Sequence, residues 1–366
     1  MSTQPIEPVD LILRGQTQVA ASVPYLLGFQ PTDSIVAVFA STQGRHVLTA
    51  RLDLPDPLIQ PAALFDALMS VCARADQQGA RHACFILYPP ESSASPDVPV
   101  VVSTLQAAVG ESTLSLEGIS TVHRGLVRDE LDPARQASVL RDAGLATRAQ
   151  WMARGASYEA SRVTLEARIG GPATPLAQHV ESFIASQTAG WSRSVVRNAR
   201  VRRLLEDEIL DYLLLSSDRV TLGQGAADSE LPCAATLAGW AVGLSDSRVR
   251  EPVLWRLAQG CSGAVSREFE NEHSLLMAMC ALVRNVPGKY AAPMASCVAA
   301  YSWQLGNGAM ARIAADHGLA ADPDNVLCRL VAEAVKSGVH PDVWLEMLAS
   351  MSLRELRSGP RVRRPG

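Results

Sequence analysis

A chain of 366 residues is longer than a single hydrophobic core usually grows, so two domains are expected, and the 48% of hydrophobic residues is ample for packed cores. The formal net charge of −4 excludes a whole-chain attraction to nucleic acid or to an anionic membrane. Of the 33 basic residues only Lys289 and Lys336 are lysines; that bias looks like codon choice in a GC-rich genome, so a single arginine carries little functional information.

In chain order, residues 11–13 read as a short strand, and residues 16–27 as a helix with Val19, Val23, Leu26 and Leu27 on one side. Pro24 is awkward inside a helix and is expected to begin a separate turn, while Gly28 fits a left-handed stop. Residues 34–40 (SIVAVFA) are apolar on both faces, which predicts a strand covered on both sides. Residues 46–54 alternate like its hairpin partner with one wetter face. A helix over 61–76, an apolar strand over 82–88, a proline- and serine-rich loop over 89–99, a helix over 101–109 and a strand within 114–126 follow. Strands alternating with helices imply crossovers and a small, mostly parallel or mixed sheet of about four or five strands.

Residues 129–168 are alanine- and charge-rich and read as helical, ending at Gly170-Gly171-Pro172, where the domain boundary is expected. Beyond it nothing reads as a strand. Helices are predicted over 176–187, 195–215, 233–244, 249–259, 266–283 and 293–304. Residues 299–344 then read as a helix, a glycine turn, a second helix, an Asp-Pro break and a third helix. Trp303-x-Leu305-Gly306 and Asp322-Pro323 resemble one tetratricopeptide-type hairpin, though a solenoid needs about three stacked units. The expected fold is therefore α+β with two domains. An N-terminal α/β domain (1–168) carries a small mixed sheet, and an all-α domain (173–352) contains a tetratricopeptide-like hairpin. Residues 353–366, with five arginines, read as a flexible basic tail.

The seven cysteines are widely spaced with no Cys-x-x-Cys pair, which predicts buried free thiols rather than a disulfide framework. The opening MSTQPIEPVD has neither the basic nor the apolar part of a signal peptide. No apolar run approaches the roughly 18 residues of a spanning helix. A cytoplasmic location away from membranes is expected.

Gly306-x-Gly308-x-x-Ala311 matches a relaxed dinucleotide fingerprint, but a helix precedes it where a strand is required, so it reads as a tight turn between helices. Glu270-x-x-His273 has a metal-site spacing without the second pair that a di-metal bundle needs, and reads as a solvated face. No catalytic residue, metal ligand or cofactor is assigned. Asp129 and Asp132, near the end of the last strand, and Asp53, at the end of the hairpin strand, are the candidate ligand-binding carboxylates. Asp56 and Glu130 accompany them. Arg193, Arg197, Arg200 and Arg203 form a helical basic stripe, a candidate patch for an acidic partner or nucleic acid. The acids that follow predict internal pairs, Arg202 with Glu206 and Arg203 with Asp207.

Two blocks, LRGQTQVAASVPYLLGFQPTDSIVAVF near the start and YSWQLGNGAMARIAADHGLAADPDNVLCRLVAEAVKSGVHPDVW near the end, resemble an uncharacterised actinobacterial family, domain of unknown function 4192. GASYEASRVTLEARI is similar to its middle segment. The resemblance implies a cytoplasmic protein and brings no activity. Members carry an aromatic, cysteine-rich segment where residues 122–152 of this chain have no cysteine, so no redox or metal role carries over. The leading expectation is a non-enzymatic interaction or accessory protein that binds a protein partner through the helical domain. An α/β enzyme or small-molecule binder using the loop carboxylates, and nucleic-acid association through the arginines, are the alternatives.

Overall fold

The computed structural model describes residues 15–54, 61–90, 98–153, 157–171, 173–221, 231–261 and 272–359. The strand expected over 11–13 lies outside them. The chain divides into two compact units, Met1–Arg162 and Val163–Gly366. The change of unit falls before the glycine pair that composition marks, because Leu165 and Ile169 are buried in the second unit and Gly171 lies against the Arg284 side chain.

The first unit runs α1 (Gln16–Leu27), β1 (Ser34–Ala40), β2 (His46–Asp53), α2 (Pro61–Gln77), β3 (His82–Tyr88), α3 (Val98–Gly110), β4 (Ser115–His123), β5 (Leu126–Asp129), β6 (Ser138–Val139), α4 (Leu140–Ala143) and α5 (Leu145–Ala153). Among the described residues the strands form one six-stranded sheet, ordered β2-β1-β3-β4-β5-β6. The sheet is mixed, as expected, but mostly antiparallel: only β3 and β4 pair in parallel, across the α3 crossover.

Alternation sorts β1 and β3 onto two faces. Ile35, Ala37 and Phe39 of β1 with Ala83, Phe85 and Leu87 of β3 form one core with Leu64, Leu68 and Cys72 of α2 and Val101 and Leu105 of α3. On the opposite face the α1 side chain of Gln16 accepts from Ser120 Oγ and lies so close to Gly118 that a Cβ there has no room. Covered on both faces, β1 is buried along nearly its whole length, as its unbroken apolar run predicts.

Three expectations change here. Helix α1 continues through Pro24, which is buried. Proline removes the N–H that would bond to the Ala20 carbonyl, and the Tyr88 hydroxyl reaches that carbonyl at 3.4 Å, a long but compensating contact. Secondly, the sheet gains β5, where the strand expected within 114–126 ends, and β6, from a region read as helical. Arg124 and Gly125, both at positive φ (49° and 76°), make the two-residue turn that returns β4 as β5. Thirdly, residues 353–358, expected in a flexible tail, form a helix.

In the second unit α6 (Arg162–Glu166) leads to α7 (Pro175–Arg197), α8 (Ala199–Thr221), α9 (Ala234–Leu244), α10 (Ser247–Cys261), α11 (Glu272–Arg284), α12 (Ala291–Gln304), α13 (Gly308–Ala321), α14 (Val326–Lys336), α15 (Asp342–Ala349) and α16 (Leu353–Ser358). Helix α12 (AAPMASCVAAYSWQ) is buried from Ala291 to Trp303. Its small residues let neighbours approach closely all round, and α9, α10, α11, α13, α14 and α15 contact it. Gly318 of α13 rests on Ala295 of α12 and on the Cys328 sulfur of α14, where a side chain would not fit. Gly306 (φ 75°) turns α12 into α13, and Asn307 caps α13 by accepting from Met310 N at 3.0 Å. The glycine motif is thus a helix–turn–helix hinge, preceded by a helix.

Candidate functional site: an arginine cleft in the helical unit

The start of α8 reads ARVRRLLED. Its helical spacing puts Ala199, Arg202, Arg203 and Glu206 along one side, and they form one wall of a cleft of about 510 Å³. Arg248 at the start of α10 and Arg354, Arg357 and Ser358 of α16 complete the lining. Five guanidinium groups therefore converge from three helices.

The cleft's charges are positioned by specific bonds. The Glu206 side chain is only 1% exposed and gives both oxygens to Arg357: Nε to Oε2 at 2.9 Å and Nη2 to Oε1 at 2.8 Å. This fork-to-fork geometry is the strongest form of ion pair available to arginine. Beneath it, Leu356 is buried, and Ser352 and Glu355 form a reciprocal capping box at the start of α16. Trp255 Nε1 donates to the carbonyls of Leu348 and Met351, both at 3.1 Å, fixing the chain that leads into α16.

Arg248 makes a second fork, to Asp246, with Nε to Oδ1 at 2.9 Å and Nη2 to Oδ2 at 2.6 Å. Burial pushes the Asp246 carboxyl up, but the Arg248 hydrogen bonds and the charges of Arg248 and Arg202 outweigh it and hold it below its ordinary value. Arg202 donates from Nη1 to the Val195 carbonyl at 2.7 Å, satisfying a carbonyl in the last turn of α7. Burial lowers the Arg202 pKa, and the neighbouring Arg248 charge lowers it further, against Asp246. Arg203 and Arg354 are exposed and have no ion-pair partner among the described residues.

The residues singled out from sequence fare differently. Arg203 lines the cleft. Arg193 and Arg197 lie on α7 and Arg200 on α8, because the helix expected over 195–215 is two helices divided at Asn198 (φ −117°, ψ 106°). The Asn198 side chain caps α8 by accepting from Arg200 N at 2.9 Å. The internal pair expected between Arg203 and Asp207 is not formed, and Glu206 is engaged by an arginine 151 positions away.

Asp129 Oδ1 accepts from the backbone N–H groups of Leu131 (3.0 Å) and Asp132 (3.3 Å), closing the turn after β5. Asp132 is exposed on that turn. Asp53 is 84% exposed and paired with Arg51 at 2.7 Å. It ends β2, four strand spacings from β5 in the sheet order, or roughly 19 Å, so the three carboxylates do not share a site. Asp56 and Glu270 lie outside the described residues. Among the described residues no cluster of His, Cys, Asp and Glu has the makings of a metal site.

Burial pushes the thiol of Cys72 up to about 11 and those of Cys84, Cys280, Cys297 and Cys328 to about 12, the behaviour of inert core residues. No described helix is long and apolar enough to cross a membrane.

Sequence reasoning missed Arg248 and the inward turn of Glu206, and it put Arg354 and Arg357 in a flexible basic tail instead of on a helix. The one local signal was Ser352-x-x-Glu355, a capping-box pattern that marks 353–358 as a helix.

No significant match was found among curated proteins or among solved structures. The family model described as a domain of unknown function (DUF4192) matches residues 17–342, spanning the sheet and all but the last helices. The chain belongs to the DUF4192 family.

Proposed function

We propose that this is a non-enzymatic accessory protein that works by binding, with the arginine cleft of the helical unit as the place where an anionic group of a partner docks. The observation that carries this reading is the surplus of guanidinium charge. Five arginines line one concavity; Arg357 and Arg248 are forked to Glu206 and Asp246, and among the described residues Arg203 and Arg354 form no ion pair. Bringing like charges together costs free energy that an anion recovers. The two-domain layout and the hairpin of α12 and α13, reminiscent of one tetratricopeptide unit, accord with a scaffold that presents a helical surface. A cytoplasmic location and an actinobacterial source accord with the composition and the arginine bias.

An α/β enzyme built on Asp53, Asp129 and Asp132 has less support, because Asp129 is consumed by its own turn and Asp53 stands apart. Nucleic-acid binding along an arginine stripe has less support too, since the stripe divides at Asn198.

The test is thermal denaturation of the full chain at low salt with phosphate, pyrophosphate, citrate and oligoglutamate. At least one anion is expected to raise Tm, and the rise is expected to vanish in the Arg203→Gln/Arg354→Gln double variant and at high salt. A flat response to all four would overturn the proposal.

A further inference from the structure

A carboxylate and a phosphoryl group make different demands on arginines. A carboxylate is planar, carries one charge and is satisfied by one fork. A phosphoryl group carries about −1.5 to −2 charges and offers three acceptor oxygens in a tetrahedral spread. In the cleft the guanidinium groups arrive from three helices, α8, α10 and α16, not from one side. Arg357 and Arg248 are engaged by Glu206 and Asp246, with the exposed Asp207 also acting on Arg357, while Arg203 and Arg354 are exposed and form no ion pair among the described residues. Arg357 spends Nε and Nη2 on Glu206 and keeps Nη1 uncommitted. The cleft has a volume of about 510 Å³ and is open to solvent.

The third wall has its own significance. Helix α16 has six residues, far too few to persist without tertiary contacts. Among the described residues its anchors include the buried Leu356, its packing on α10 and the Arg357–Glu206 fork to α8.

Resting on the binding role proposed above, we infer that the cleft is a phosphoryl-group site closed by α16, in which Arg203 and Arg354 grip the ligand from opposite helices and occupancy fastens α16 to α8. The chemistry is that of a phosphate ester or diphosphate, carried either by a small molecule or by a phosphorylated side chain of a partner.

The experiment is calorimetric titration of the full chain with pyrophosphate, inorganic phosphate, a phosphoserine peptide and citrate at matched ionic strength, with amide hydrogen exchange of residues 353–359. A phosphoryl ligand is expected to bind at least about 10-fold more tightly than citrate and to slow exchange in α16 by a similar factor. Arg203→Gln/Arg354→Gln is expected to lose about 10-fold or more. Arg203→Lys/Arg354→Lys, which keeps the charge but not the fork, is expected to lose less. Tighter pyrophosphate binding identifies a small-molecule source; tighter phosphopeptide binding identifies a phosphorylated partner. Either supports the inference.

Equal affinity for citrate, or unchanged exchange in α16, would overturn the phosphoryl assignment while leaving anion binding in place. No binding of any anion would overturn both. Arg203 and Arg354 form no ion pair among the described residues, so in the absence of ligand the Lys variant is expected to keep the Tm of the unsubstituted chain, and the Gln variant, relieved of like-charge repulsion, to match or slightly exceed it. Undiminished phosphate affinity in the Gln variant would place the site elsewhere and overturn the inference.

Discussion

The sheet unit and the helical unit treat charge in opposite ways. In the sheet unit the candidate acids are used up locally: Asp129 by N–H groups two and three residues on, Asp53 by an arginine two residues back. In the helical unit the charges of the cleft are gathered from α8, α10 and α16, and the Glu206–Arg357 pair spans 151 positions. Charges satisfied by their own loop hold that loop in shape. Charges brought together from distant helices are available to hold something else, and that contrast is why binding is proposed at the cleft and not at the strand ends.

The sharpest way to break the contrast is Glu206→Ala. It removes a 1% exposed carboxylate and strands Arg357. Arg357 is about a third exposed and recovers some hydration, so the expected loss is about 2–3 kcal/mol, less than for a fully buried pair. The urea midpoint measures it; a loss under about 0.5 kcal/mol would reduce the fork to an ordinary surface pair.

Next is the pH dependence of Asp246→Asn. The Asp246 carboxyl is held below its ordinary value. A depressed carboxylate stabilises the fold above its unfolded pKa, and that contribution is lost as pH falls through the lower folded value. The stability gap between the native chain and Asp246→Asn should therefore be full at neutral pH. It should shrink as pH falls below the unperturbed value of 3.8. Urea unfolding at several pH values measures it, and a gap independent of pH would remove the electrostatic role of Arg248 and Arg202.

The smallest expected effect belongs to the sheet unit. Asp129→Asn keeps an oxygen that accepts from Leu131 and Asp132, so stability should change by less than about 0.5 kcal/mol. Asp129→Ala should cost about 1 kcal/mol through the lost turn bonds. If Asp129→Asn instead abolished a ligand-dependent Tm shift while stability held, the carboxylates would regain the functional claim.

Much of the fold was legible. Residues 34–40 and 82–88 announce buried strands by unbroken β-branched and apolar runs, and Gly28, Gly306 and the Asp-Pro break stop helices where the structure stops them. The β4–β5 hairpin escaped because its turn is Arg-Gly, while the sequence signal for that turn is Asn-Gly or Asp-Gly. The break at Asn198 escaped because helical periodicity on both sides runs straight through it. Of the cleft Arg203 was legible as a stripe residue and Arg354 and Arg357 as members of a basic tail, while Glu206 was read as the i+4 partner of Arg202.

The amino-acid sequence by itself determined most of the order of elements, including the helix that becomes α12, since periodicity, glycines and small residues act within a few positions of one another. Which charges meet was decided only by tertiary structure. Hydrogen bonds and ion pairs act over a few ångströms of space, and nothing in the spacing of Arg202, Arg248 and Arg357 along the chain says that packing α8, α10 and α16 together places them around one cleft.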